Sequence, residues 1–134
     1  MSNIIVYTFR TFPEIEKLRE IFGEVFVFGK LKEDLKKFTK IIETKKPKYI
    51  LGVAKGKSVS QLEKYAINKF GKTGKIDKDG LEQIELYIPK ELEKDFKIST
   101  KQTSSFCNWT MYKIGSYLLE NKLKTKLIFV HKLI

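Results

Sequence analysis

A thiol, an imidazole and a carboxylate suffice to build an acyl-transfer centre, and this chain offers each at a readable place. Cys107 is its only cysteine and His131 its only histidine. Cys107 lies in Ser104-Ser105-Phe106-Cys107-Asn108-Trp109, at the expected start of a helix, and His131 closes the apolar run Leu127-Ile128-Phe129-Val130, at the expected end of a strand. In the first turn of a helix a thiol faces unpaired backbone N–H groups and the positive end of the helix dipole. Its pKa is therefore expected to fall, favouring the nucleophilic thiolate. A neutral imidazole can take the thiol proton and return it to a leaving amine, while a carboxylate fixes the ring tautomer. Glu63, in Gln61-Leu62-Glu63-Lys64-Tyr65-Ala66-Ile67-Asn68, is the candidate carboxylate.

Residue type alone also supports a blander reading. Free cysteine is among the most buried residue types, so a packed, inert thiol is the commoner case. A lone strand-end histidine is usually ordinary, and Glu63 is one of 16 acids, for which a solvated place beside a lysine is the default. The two readings differ in whether the fold brings the three side chains together.

The elements that must position them follow from apolar periodicity. Residues Asn3 to Thr8 read as a strand, and Ile15, Leu18, Ile21 and Phe22 recur at helical spacing behind Pro13. Glu24 to Phe28 reads as a second strand, Leu31 to Thr44 as a helix and Tyr49 to Val53 as a third strand. This βαβαβ order predicts an α/β fold, a three-layer α/β/α sandwich with a mostly parallel central sheet, built as one domain over residues 1–134.

Beyond it, Ser60 to Phe70 is expected as a strand or extended segment, and Gly71 to Gly80 as a polar loop. Ile84 to Ile88 is expected as a strand, Pro89 to Asp95 as a helical turn and Phe96 to Ser99 as another strand. A helix from Phe106 then presents a broad apolar face before Asn121, with Ser104 or Ser105 as its cap, and Lys126 to Val130 forms the last strand. Active sites of open α/β sheets form outside the carboxyl ends of the strands, which is where His131 and the loop entering the Cys107 helix are expected.

The formal net charge of +11 raises the question of an anionic partner. Arg10 and Arg19 are the only arginines, and the lysines are spread along the chain among acids, as at Glu33, Asp34, Lys36 and Lys37. Phosphate and base-edge recognition favour the arginine fork and a clustered patch, so nucleic-acid binding is disfavoured. Nothing near Ile4-Ile5-Val6 resembles a signal peptide and no apolar run is long enough to cross a bilayer. With a single cysteine there is no disulfide framework, and a cytoplasmic protein with a free thiol is expected. No metal or organic cofactor is implied.

Short motifs in a common order add a family resemblance. Leu51-Gly52-Val53-Ala54-Lys55-Gly56-Lys57, followed by Glu63-Lys64-Tyr65-Ala66-Ile67-Asn68, resembles the pyroglutamyl peptidase I pattern Val-Gly-x-Ala-x-Gly-Arg leading to Glu-Arg-x-Ala-x-Asn. Phe106-Cys107-Asn108 with Met111-Tyr112 resembles that family's nucleophile segment, Phe129-Val130-His131 its Phe-Ile-His strand end, and Thr8-Phe9-Arg10-Thr11-Phe12 its Thr-Gly-Phe-x-Pro-Phe loop with one residue deleted.

The resemblance implies a cysteine omega-peptidase that removes an amino-terminal pyroglutamyl residue from a peptide with a blocked amino terminus. Cys107 would be the nucleophile, His131 the general base and acid, and Glu63 the residue orienting the histidine. Phe9 and Phe12 would flank the lactam ring, with plain core packing as the alternative for both. The backbone of Val53 and the side chain of Ile76 would lie nearby, and the Cys107 N–H would donate to an oxyanion. Lys57 stands where the family has arginine, and Lys75-Ile76-Asp77-Lys78-Asp79 stands for Arg-Ile-Pro-Asp-Asn. The chain stops at Ile134, before any counterpart of the family's closing helix, so it reads as a short, truncated member.

Two other classes stay open at this stage. One is a catalytically impaired binding module that keeps the fold and holds a peptide or anionic partner. The weaker one is a lysine-rich nucleic-acid-binding protein. A homo-oligomer is also left open.

Overall fold

The computed structural model describes residues 3–101 and 105–134. The first five elements are strand β1 (Ile4–Phe9), helix α1 (Ile15–Phe22), strand β2 (Val25–Phe28), helix α2 (Leu31–Lys45) and strand β3 (Tyr49–Lys55). Short strands β4 (Gln61–Glu63), β5 (Tyr65–Ile67) and β6 (Gln83–Glu85) follow, then a 3-10 turn at Lys90–Leu92 and strand β7 (Lys97–Ser99). Helix α3 (Phe106–Glu120) and strand β8 (Lys126–Lys132) complete the order.

Six strands form one sheet in the order β2-β1-β3-β8-β4-β7. Strands β2, β1, β3 and β8 run parallel, whereas β4 is antiparallel to β8 and parallel to its outer neighbour β7. The sheet is therefore mixed and mostly parallel, an α/β fold with helices on its faces. Strand alternation sorts the layers. Tyr7 and Phe9 of β1, Ile50 and Ala54 of β3, and Leu127 and Phe129 of β8 join one core cluster with Phe38 and Ile42 of α2 and Met111 and Ile114 of α3. Val6 and Val53 face the other way, onto Leu18 of α1 and Phe12. On that same side Leu62, Ile128 and Val130 pack under the segment holding Tyr87, Leu92 and Phe96.

Local chemistry fixes the helix ends. Gly23 ends α1 with φ 86°, a positive value cheap for glycine, and its N–H donates to the carbonyl of Arg19 at 2.8 Å. Asp34 in the first turn of α2 reaches back to accept from the N–H groups of Gly29 and Lys30 at 2.7 and 2.9 Å, and the Gly29 bond in particular holds its carboxyl below the usual range. Helix α3 is buried on nearly every side, Cys107 to Tyr112 without a break. It lies between α2, β8 and the β5–β6 hairpin, the environment in which a helix can be apolar all round.

Three expectations are corrected. Ser60 to Phe70 is not one extended piece: β4 enters the main sheet, the chain turns at Lys64, and β5 pairs with β6 in a separate two-stranded sheet. The strand expected at Ile84 to Ile88 is β6 and ends at Glu85. Of the two expected caps, Ser105 occupies the position before α3 but makes no capping side-chain bond, and Ser104 lies outside the described residues.

Candidate active site

His131 stands in step with Phe129 on β8, so it faces the α3 side of the sheet, and their rings lie 5.1 Å apart. On β4, Leu62 faces the opposite layer, which turns its neighbours Gln61 and Glu63 toward α3 as well. The reversed direction of β4 brings its start beside the end of β8, in the register Gln61 to His131 and Leu62 to Val130. Nδ1 of His131 consequently lies 2.8 Å from Oε2 of Glu63. The Gln61 side-chain amide donates to the same oxygen at 2.7 Å. An ionised carboxylate can only accept, so Nδ1 carries the ring proton and Nε2 is left as the basic nitrogen. The Glu63 side chain is 3% exposed and that of His131 22% exposed, a buried carboxylate beside a ring that solvent can reach.

Cys107 is a free, buried thiol in the first turn of α3. Its pKa is pushed up to about 12. Burial is the main cause and the nearby Glu63 carboxylate adds to it, against hydrogen bonds from Ser105 and from its own backbone N–H. This corrects the expectation of a lowered pKa: desolvation of the thiolate outweighs the pull of the helix end. Burial thus favours the neutral thiol at Cys107.

The residues expected around a substrate divide between two layers. Phe9 belongs to the core cluster that contains Cys107, and its ring meets that of the exposed Phe106 edge-on at 4.7 Å. Ile76 packs against the same cluster. Phe12 and Val53 are buried together on the α1 side, and the Val53 carbonyl accepts a 2.7 Å hydrogen bond from the Thr8 hydroxyl. Lys57 is exposed, and Lys75 pairs with Glu82 at 3.4 Å.

Three residues that sequence reasoning left without a role organise this region. Gln61 holds Glu63, as above. Asn108, next to the thiol and 1% exposed, accepts from the N–H of Ile67 at 2.9 Å and donates to the carbonyls of Ile67 and Lys69 at 2.9 and 3.1 Å. Asn68 accepts from the N–H groups of Ile76 and Asp77 at 2.8 and 2.9 Å and donates to the Asp77 carbonyl at 2.6 Å. Asp77 in turn pairs with Lys113 of α3 at 2.7 Å. The loop carrying Ile76 is therefore tied through Asn68 and Asp77 to the helix that carries the thiol. A buried asparagine must satisfy its amide, so Asn68 and Asn108 were the available signal.

Two clefts, of about 990 and 320 Å³, open at the other edge of the sheet. The larger is lined by Ile4, Ile5, Val25 and Phe26 near the starts of β1 and β2, the smaller by Leu118, Leu123 and Leu127 near the start of β8. Neither includes Cys107, His131 or Glu63, and the chemistry of those three outweighs cleft size in locating the site. Among the described residues no helix is long and apolar enough to cross a membrane.

No protein-family model and no curated protein sequence matches the chain. Solved structures do. Pyrrolidone carboxyl peptidase from Thermococcus litoralis superposes with a TM-score of 0.80 at 18% identity, covering 99% of this chain and 77% of that one. Pyroglutamyl peptidase I from Bacillus amyloliquefaciens gives 0.78 at 16% identity, over 100% of this chain and 81% of that one. A single-substitution variant of the Pyrococcus furiosus pyrrolidone carboxyl peptidase gives 0.76 at 19% identity, over 97% and 80%. At such identities the likeness is one of fold, and it extends over nearly the whole of this chain.

Proposed function

We propose that this protein is a cysteine omega-peptidase that hydrolyses the bond after an amino-terminal pyroglutamyl residue, with Cys107 as nucleophile, His131 as base and acid, and Glu63 as the orienting carboxylate. The observation that carries the reading is the 2.8 Å Glu63–His131 contact, made on the face that α3 and Cys107 cover, in a fold shared with pyroglutamyl peptidases. Family membership is part of the proposal.

In the first half-reaction Nε2 of His131 takes the thiol proton as sulfur bonds to the pyroglutamyl carbonyl carbon. The tetrahedral intermediate collapses when the C–N bond breaks, and the imidazolium returns the proton to the leaving amine. In the second, His131 deprotonates water, water attacks the thioester, and pyroglutamate leaves as the thiol is restored. Because burial favours the neutral thiol, the proposed mechanism needs His131 to take the proton as a general base. Phe9 and Ile76, which share the layer of Cys107, are proposed to hold the lactam ring, with Val53 contributing backbone, while Phe12 packs on the α1 side.

The test is release of a fluorogenic amine from its pyroglutamyl amide, compared with the prolyl amide that lacks the lactam carbonyl. The proposal expects turnover of the first and little of the second. The burial of the thiol favours a second reading, a binding module without turnover. That reading expects a pyroglutamyl peptide to bind the wild type and Cys107→Ala alike while neither variant cleaves it.

A further inference from the structure

We propose that Tyr7 and Thr110 are positioning residues for the Cys107 nucleophile, acting through a hydrogen-bonded chain from the sheet to the Cys107 carbonyl; the inference rests on the hydrolase reading above. Both side chains are fully buried. The Thr110 hydroxyl donates to the carbonyl of Cys107 at 2.8 Å, and the Tyr7 hydroxyl lies 3.1 Å from the Thr110 oxygen. A threonine hydroxyl has one proton, already directed at Cys107, so Tyr7 is the donor and the chain runs one way, Tyr7 to Thr110 to Cys107. Burial raises the Tyr7 pKa strongly, which keeps that proton in place.

The far end of the chain is well fixed. The Tyr7 ring sits among Phe9, Phe28, Phe38 and Phe129, with centroids 6.0, 5.3, 5.3 and 6.1 Å away. Its hydroxyl end occupies space that Gly52 leaves open on the neighbouring strand. Packing does not require the two hydroxyls, since phenylalanine and valine fill nearly the same volumes, and replacing both partners of a buried hydrogen bond by apolar groups is close to neutral for stability. What the hydroxyls add is direction: a tie between the central sheet, which also carries His131, and the first turn of α3, which carries the thiol. A small misplacement of a nucleophile is costly to rate even when the fold is unchanged.

The experiment compares the wild type with Tyr7→Phe, Thr110→Val, the double variant and Thr110→Ser, measuring kcat and KM on a fluorogenic pyroglutamyl amide together with thermal unfolding. The double variant is expected to keep its fold and unfolding temperature while kcat falls about tenfold and KM barely moves, and Thr110→Ser is expected to retain wild-type kcat. An unchanged kcat in the double variant, a rise in KM alone, or loss of the fold would each overturn the proposal, the last showing that the pair serves packing. Absence of turnover in the wild type would defeat the hydrolase reading itself and this inference with it, an outcome read before any variant is compared.

Discussion

His131 and Glu63, 68 positions apart in the chain, meet at 2.8 Å where antiparallel β4 lies beside the end of β8. The contact leaves Nε2 as the basic nitrogen, and Gln61 steadies the carboxylate that enforces this. In the proposed mechanism, replacing Glu63 by glutamine removes the charge that would favour an imidazolium formed during attack. We predict that Glu63→Gln and His131→Ala each lower kcat about 10²–10⁴-fold with smaller changes in KM. Steady-state kinetics check this, and the double variant should lose little more than the worse single one, because the residues act as a unit.

The buried thiol predicts a particular alkaline behaviour. Its pKa stands at 9.0 when unperturbed and about 12 in the folded protein. Between those values the unfolded chain releases a thiol proton that the folded chain keeps, so Cys107's contribution to stability is complete below 9.0 and is lost as pH rises toward 12. Urea unfolding across that window should show a shallower alkaline loss in Cys107→Ala than in wild type. Alkylation by iodoacetamide should accordingly be slow near neutral pH and accelerate only at strongly alkaline pH.

Short apolar runs mark β1 to β3, a 3.6-residue period marks α1 and α2, and a long, broadly apolar stretch marks α3. Strand β4, three residues long, has no such pattern, and its reversed direction depends on the path of the chain between β3 and β8. Cys107 and His131 stand out by type and Glu63 only by its place in the motif order, whereas the thiol's pKa is not legible because burial sets it. Asn68 and Asn108 were visible as residues, but their partners lie on backbone that only the folded structure brings near.

Those asparagines give a third prediction. Asn108→Ala would remove the partner of the Ile67 N–H, while the Ile67 carbonyl keeps the Lys69 N–H at 2.8 Å, at a cost of about 1–3 kcal/mol for the group left unpaired. Asn68→Ala would release the N–H groups of Ile76 and Asp77 and loosen the loop proposed to hold the lactam ring. Chemical denaturation should report the first, and a rise in KM larger than the change in kcat the second.

Gly52 supplies a fourth. A Cβ there would lie 2.5 Å from the Phe129 ring and 2.6 Å from the Tyr7 ring, both fully buried. Neither ring has space to retreat, so Gly52→Ala should destabilise the protein by about 1–3 kcal/mol or more, measured as a lowered denaturant midpoint. The displaced Tyr7 should also slow turnover beyond what the stability loss explains.

The nucleophilic role of Cys107 is tested most directly by turnover of a fluorogenic pyroglutamyl amide in wild type, Cys107→Ala and Cys107→Ser, each first shown to be folded. The account predicts steady release of the amine by wild type and none above the uncatalysed rate by either variant. Release that persists in folded Cys107→Ala, or its absence from folded wild type, would contradict it.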